Sequence, residues 1–270
     1  AAVPPELGVY PSHICMQIID AVHVSAGLPY WAAIAAVVGA LRLALVPVWL
    51  FQVRHGAKFA KARPEMQGIR EQTDALQAKI HLAGGKPTEE HKEEIMGIRR
   101  RQAEIMKRHG LHQAGALLPL MVQAPLFVSL FMALRDMGEY FPGMATQGAL
   151  WFSDLTVPDP LYILPVLSGA TMLAMVEMGQ PGGAPPGPQG DLAKKFGRPL
   201  AFFLVPVSAY MPAGVVLYWC CSNVISLGQR ALLELPALQK SLGIPTGPPP
   251  EGHAPWDRDA AAEEREDIKR

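Results

Sequence analysis

A small set of polar side chains lies inside long apolar stretches of this sequence. The set comprises Arg42, Gln123, Ser222, Asn223 and Gln229. A guanidinium, amides and a hydroxyl donate and accept hydrogen bonds, and no adjacent base activates any of them as a nucleophile. The chemistry that these residue types predict is the reversible binding of polar groups in apolar surroundings.

The stretches around them have the length of membrane spans. Four runs stand out: Leu28–Phe51 with 24 residues and Arg42 as its one charge, Ala116–Leu134 with 19, Leu161–Val176 with 16 and Pro199–Gly228 with 30. A bilayer core of about 30 Å takes about 20 helical residues. The last run is too long for one helix, and Tyr210-Met211-Pro212 divides it. Its first part is short, which predicts a locally thinned bilayer unless residues 193–198 extend the helix.

Lysine and arginine counts predict the topology. Residues 1–27 and 138–157 contain none, whereas residues 52–113 contain 13 and residues 178–198 contain three. The positive-inside rule therefore puts the N-terminal segment outside and the C-terminus inside. Basic residues at both ends of the 30-residue run require that it cross twice. The sequence predicts an all-α, polytopic membrane protein with a five-helix transmembrane bundle and an inner-side helical hairpin.

The depths of the polar residues suggest a common pocket. Arg42 lies about 21 Å from the outer end of its span at 1.5 Å per residue. Gln123, Ser222 and Asn223 also fall from the midplane inward, and Gln229 lies near the inner end of its span. Intramembrane arginines usually face a bundle interior or a wet cavity. The alternatives are that Arg42 extends to the inner headgroups and that the other residues link helices.

The loop between the first two spans predicts a helical hairpin. Its first helix has a 3-4-3-4 apolar seam of Phe59, Ala62, Met66, Ile69, Thr73, Leu76 and Ile80. Gly84-Gly85 ends that helix, Thr88 begins the next, and Arg99, Arg100 and Arg101 form a basic cluster there. Thirteen basic and eight acidic residues leave residues 52–113 at +5. This charge predicts either a solvated loop or a contact with anionic lipids or incoming polypeptide.

The sequence lacks the residue patterns that other functional classes require. The histidines are scattered and the three cysteines have no metal-ligand spacing, so we expect no metal, no cofactor and no enzyme activity. No carboxylate or histidine lies within a predicted span, which disfavours a coupled transporter. Equal numbers of basic and acidic residues, 24 each, argue against a uniformly basic nucleic-acid binder, and we expect no direct sequence-specific binding of nucleic acid.

The predicted organisation has five parts. Residues 1–27 form an outer segment with an amphipathic helix, residues 28–51 the first span, and residues 52–115 the basic hairpin. Residues 116–235 hold spans two to five, with a Pro/Gly-rich loop at 180–190. Residues 236–270 form an inner C-terminal tail.

Several motifs resemble one family. LPYWAAIAAVVGALRLALVPVWLFQ, LLPLMVQAPLFVSLFMALRDM, GALWFSDLTVPDPLYILPVLSGATM and MPAGVVLYWCCSNVISLGQRALL occur in this order. Together they resemble the YidC/Oxa/Alb membrane protein insertases, and WFSDLTVPDPLYILP is most similar to the mitochondrial Oxa branch. A plastid or bacterial member, or an oxidase-assembly paralogue, is the alternative.

The resemblance implies a function. Such an insertase accepts hydrophobic segments of nascent or imported chains from the matrix side and releases them into the inner membrane. It implies that Arg42, Gln123, Ser222 and Asn223 line the groove. Implied partners are nascent membrane-protein clients, anionic lipids and the mitochondrial ribosome. Mitochondrial members are expected to dock the ribosome with a basic tail, whereas residues 251–270 hold seven acidic and four basic residues.

Two other functions stay open at this point. An assembly scaffold or chaperone for respiratory-complex subunits would need the hairpin and the apolar surface but no wet pocket. A channel or transporter would need a path that reaches the outer side.

Overall fold

The computed structural model describes residues 8, 10–82, 84–111, 113–179 and 188–242, and most of these residues are helical. In chain order the helices are α1 (Pro11–Ala26), α2 (Tyr30–Ala44), α3 (Val46–Leu82), α4 (Glu89–Arg108), α5 (Gln113–Tyr140), α6 (Ile163–Met178), α7 (Pro188–Ser208), α8 (Ala213–Leu232) and α9 (Pro236–Leu242), with a short 3₁₀ helix at Pro142–Ala145. These residues contain no strand, only an isolated bridge between Ala149 and Phe152. Residues 243–270, which include most of the predicted tail, lie outside the described residues.

The first two helices meet at a sharp bend. Gly27 has a φ of +64°, a left-handed conformation that glycine adopts without strain, and Pro29 precedes α2. Judged by length and hydropathy, no single described helix suffices to cross a bilayer, whereas α1 and α2 taken together pass that test despite a bend of 114° between them.

The end of the predicted first span differs from the helix boundary. The apolar run predicts a span that ends at Phe51, but α2 ends at Ala44 and α3 runs without interruption from Val46 to Leu82. The break falls at Leu45 because Pro47 has no N–H to donate, which is tolerated in the first turn of a new helix. Phe51 is thus part of the same helix as the first arm of the hairpin.

α3 and α4 pack on each other around their own apolar core. Gly84 and Gly85 have φ values of +97° and +78° where α3 ends. Thr88 caps α4, since its hydroxyl accepts from the backbone N–H of His91 at 3.4 Å. The core contains Ala62, Ile69 and Leu76 from α3 and Ile98 and Ile105 from α4, with Phe59, Met66, Ile80 and Ile95 at its edge.

A larger core joins α1, α2, α5 and α8. Its fully buried side chains include Met16 of α1, Ile34 of α2, Leu134 of α5 and Val216 of α8. The 3₁₀ helix and the segment up to residue 155 cover one end of this core through Met144 and Leu155. The two cores are connected by α3, which also packs against α5.

α7 begins earlier than the sequence suggested. Residues 180–187 of the predicted Pro/Gly-rich loop lie outside the described residues, but residues 188–190 belong to α7 and not to a loop. Proline is accepted in a first helical turn, so Pro188 can begin the helix. α7 also includes residues 193–198, and the short span behind the predicted bilayer thinning is therefore not what the structure has. A turn at residues 209–212 joins α7 to α8.

Candidate functional site

Arg42 contacts the middle of α8. Its guanidinium Nη2 donates a hydrogen bond to Ser222 Oγ, across 180 residues of sequence. Ser222 is buried and Arg42 is half-buried. The charge therefore has a polar partner on a neighbouring helix.

Asn223 turns to a different neighbour. Its Nδ2 donates to Thr171 Oγ1 of α6 at 3.1 Å. Successive helical residues are about 100° apart around the axis, so Ser222 and Asn223 cannot both face Arg42. The structure thus brings Ser222, but not Asn223, into hydrogen-bonding contact with the arginine.

The two glutamines stay apart from these pairs. Gln123 on α5 and Gln229 on α8 are both half-buried. Neither makes a hydrogen bond or an ion pair with any residue in the described part of the chain. Their amides are free to bind a polar group from outside the protein.

α6 and α8 are tied together at three levels. Cys220 Sγ lies 3.5 Å from the Leu164 carbonyl oxygen near one end, and the Asn223–Thr171 bond lies in the middle. At the other end Arg230 Nη2 donates to the Met178 carbonyl oxygen at 3.0 Å. A cation at a helix C-terminus is favourable because it satisfies free carbonyls there. In the sequence Arg230 is only one of the basic residues that follow the 30-residue run and predict that it crosses twice.

A buried carboxylate that was not among the predicted site residues organises the segment before α6. Asp159 is 2% exposed. Its Oδ1 accepts from the Leu161 N–H at 3.0 Å, and its Oδ2 accepts from the Leu164 N–H at 2.7 Å and from Trp151 Nε1 at 3.3 Å. Free N–H groups at a helix start attract an acidic residue, and the Asp-Pro pair before a run of apolar residues was the available signal.

The arginine cluster of the hairpin is open to solvent. Arg99, Arg100 and Arg101 are all exposed on α4. Arg101 Nη1 lies 3.4 Å from Gln72 Oε1 of α3. The cluster therefore lies beside the part of α3 that contains Gln72. Nearer the bundle, Glu65 accepts from Arg108 Nη1 at 2.9 Å.

Known proteins match most of this chain. The family model "60Kd inner membrane protein" matches residues 21–239. "Mitochondrial inner membrane protein OXA1" of Arabidopsis thaliana is 33% identical over 243 residues, which cover 89% of this chain and 53% of that protein. "Mitochondrial inner membrane protein OXA1L" of Mus musculus is 35% identical over 243 residues, which cover 88% of this chain and 53% of that protein.

A third relative is named as an assembly protein. "Cytochrome c oxidase assembly protein COX18, mitochondrial" of Homo sapiens is 28% identical over 247 residues, covering 87% of this chain and 74% of that protein. The chain spans about half the length of the OXA1 and OXA1L proteins that it matches. Because the family model matches well over half of its residues, the chain belongs to the 60Kd inner membrane protein family, also known as the YidC/Oxa family.

Proposed function

We propose that the protein is a membrane protein insertase of the mitochondrial inner membrane without covalent catalysis. It accepts hydrophobic segments of nascent or imported polypeptides from the matrix side and moves them laterally into lipid. The observation that carries the proposal is the position of Arg42, a cation inside the helical bundle that is bonded to Ser222 and, among the described residues, to no carboxylate. Such a charge can attract acidic residues of a client.

The physical task is to lower the cost of moving polar backbone and side chains through lipid. Polar groups without hydrogen-bonding partners are expensive there. Arg42 and the unpaired amides of Gln123 and Gln229 supply such partners. They replace part of the hydration that a polar flank of the client loses.

The outer end of the groove is closed in this proposal. Buried Asp159 holds the segment before α6 in place, and Met144 and Leu155 of the same region join the main core. A closed outer end makes an insertase more plausible than a channel, because a channel needs a continuous path. Solute flux through reconstituted vesicles would contradict this part.

The client leaves over the apolar faces of α5 and α7. Met121 and Val128 of α5 and Phe196, Leu200 and Phe203 of α7 are exposed. Release between α6 and α8, the third and fifth predicted spans, is disfavoured because three hydrogen bonds tie these helices together. The helices α6 and α8 then stay together while a client passes.

Crosslinking tests the groove directly. Photo-crosslinkers at positions 42, 123 and 229 should capture a multispanning nascent client in isolated mitochondria. The controls are positions 43 and 224, because Leu43 and Val224 are exposed on other faces of α2 and α8. Capture at the control positions without capture at 42, 123 and 229 would overturn the groove.

The orientation is part of the proposal. The N-terminus lies in the intermembrane space and the C-terminus in the matrix, because the 13 basic residues of 52–113 favour the inner side. Protease added to mitoplasts should cut the outer segments and spare the hairpin; cleavage at the hairpin would contradict this orientation.

A second candidate function is an assembly scaffold for respiratory-complex subunits. The relative named as a cytochrome c oxidase assembly protein favours it. A scaffold needs no wet groove, so the two candidates differ at position 42. A cysteine there should react with a water-soluble thiol reagent from the inner side in an insertase and stay unreactive in a scaffold.

A further inference from the structure

Several apolar side chains of the segment between the 3₁₀ helix and α6 are exposed on the protein surface. Leu150 is 87% exposed, and Leu161 and Tyr162 are more than half exposed. Tyr210, in the turn before α8, is 84% exposed. We call Leu150, Leu161, Tyr162 and Tyr210 the outer rim. Exposed apolar groups that cluster at one end of a bundle mark an interaction surface.

Backbone hydrogen bonds hold this segment at the ends of the helices. The Gln147 carbonyl accepts from the Trp31 N–H at 3.2 Å, at the start of α2. The Leu155 carbonyl accepts from the Gly214 N–H at 3.0 Å, at the start of α8. The segment therefore lies at the depth of the first turns of α2 and α8 and does not extend away from the bundle.

Two rim residues have an unfavourable backbone conformation. Leu150 has a φ of +50° and Tyr162 a φ of +58°, in the left-handed region where glycine or asparagine is usual. The Ala149–Phe152 bridge holds the first, and the bonds of Asp159 to the Leu161 and Leu164 N–H groups hold the second. At both positions an exposed apolar side chain occupies a place where glycine would relieve the strain.

We infer that the outer rim inserts into the boundary between headgroups and acyl chains of the outer leaflet. Tyrosine and tryptophan prefer this depth, and Trp31 lies at the same level on α2. The partner is a lipid surface, since the rim continues the ends of helices in a membrane-protein family. Anchoring the rim in lipid would hold the closed end of the groove in place during client release. This inference rests on the outer-side placement in the proposed function.

An encoded, environment-sensitive fluorescent amino acid at position 150 or 162 tests it in proteoliposomes. The expected result is a blue-shifted emission that lipids spin-labelled near the headgroup quench at least twofold. The matched control is position 82, because Leu82 is 88% exposed but lies at the end of α3 in the hairpin. Its emission should be water-like and unquenched. Water-like emission at both 150 and 162 would overturn the inference.

A second variant separates lipid contact from folding. Leu150→Asn removes the apolar side chain while keeping a residue that tolerates the left-handed backbone. It should reduce quenching of the probe at position 162 without lowering the unfolding temperature in detergent, since asparagine fits the left-handed backbone better than leucine. Unchanged quenching at 162 would count against a shared rim.

Client insertion measured in the same vesicles distinguishes the two proposals. Insertion with unquenched rim probes would overturn the rim and leave the insertase in place. Quenched rim probes without insertion would overturn the insertase and leave the rim in place.

Discussion

At the residue scale, Arg42 shows how a costly charge can be kept within a helical bundle. A central arginine costs about 2.5–3.5 kcal/mol on insertion scales. The bond to Ser222 Oγ offsets part of that cost, because a hydrogen bond to a charged group contributes about 1.5–3 kcal/mol. No carboxylate among the described residues pairs with Arg42. In the proposed insertase, its charge stays available to an acidic group of a client.

Substitution of Arg42 should separate charge from geometry. We expect Arg42→Ala to reduce client insertion in proteoliposomes roughly tenfold or more, since a lost charged hydrogen bond corresponds to about that factor. Arg42→Lys keeps the positive charge and should retain more insertion than the alanine variant. Equal activity of the two variants would indicate that the side chain extends to the headgroups instead.

Asp159 is predicted to be a stabilising residue. Both of its oxygens accept backbone N–H groups, so Asp159→Asn loses one acceptor and should cost about 1–3 kcal/mol of unfolding free energy. The measurement is thermal unfolding in detergent. Asp154→Asn is a matched control, because Asp154 uses only Oδ1 toward Thr156 and the amide keeps that atom. Equal losses in the two variants would refute the role given to Asp159.

At the element scale, close packing and polar bonds hold α6, α7 and α8 together. Gly169 of α6 lies against the Ala201 carbonyl oxygen and Val205 of α7. Near the C-terminal end of α6, Glu177 accepts hydrogen bonds on both of its oxygens from Arg198 of α7, at 2.6 and 3.0 Å. The hydrogen bond from Arg198 holds the pKa of the Glu177 carboxyl below its usual range. Small residues allow such close approach between membrane helices.

The close approach at Gly169 can be tested with one methyl group. A Cβ there would meet the Ala201 carbonyl oxygen at 3.1 Å, so Gly169→Ala should destabilise the protein by about 1–3 kcal/mol. In Gly39→Ala the new Cβ has nothing within 4 Å, and this control should be neutral or stabilising by about 0.5–1 kcal/mol. Unfolding temperatures in detergent compare them. A stable Gly169→Ala protein would show that α6 and α7 can separate without cost.

At the scale of the whole molecule, α3 links two cores of different character. The main core contains α1, α2, α5 and α8, whereas the second core belongs to the α3–α4 hairpin. Gln72, which pairs with Arg101, lies about 31 Å beyond Phe51 along α3 at 1.5 Å per residue. The headgroup layer is only about 5–8 Å thick. In the orientation that we propose, an upright hairpin would carry Arg99, Arg100 and Arg101 past the headgroups, where a soluble partner could bind them.

Neutralising this cluster should weaken ribosome binding. We expect the triple change of Arg99, Arg100 and Arg101 to Gln to lower co-flotation of mitochondrial ribosomes with proteoliposomes several-fold at low salt. The control changes Lys79, Lys86 and Lys92 to Gln, which removes the same charge near the far end of the hairpin. A similar loss in both variants would point to net charge, and no loss in either would leave the cluster without this role.

The sequence by itself determined the family, the helical class and the apolar seam of the hairpin. These properties depend on the order of residues along the chain, because motifs, charge counts and a 3-4 spacing are present before the chain folds. The five spans, the domain bounds and the topology stay predictions. The helix boundary at Leu45 and the early start of α7 were not predicted. Both lie next to a proline, and a proline fixes where a helix begins or ends to within one or two residues, which is finer than a run of apolar residues can indicate.

The tertiary structure decided which polar groups meet. Arg42 and Ser222 are 180 residues apart, and Asn223 faces α6 although it adjoins Ser222. Depth along a span is readable from residue counts, but the direction of a side chain around the helix axis depends on which helices pack beside it. Asp159 differs, because its hydrogen-bonding partners lie within eight residues and the Asp-Pro pair was a local signal; only its burial depends on the packing of distant segments. Long-range packing, which no local pattern encodes, decides the contacts of Arg42, Ser222 and Asn223.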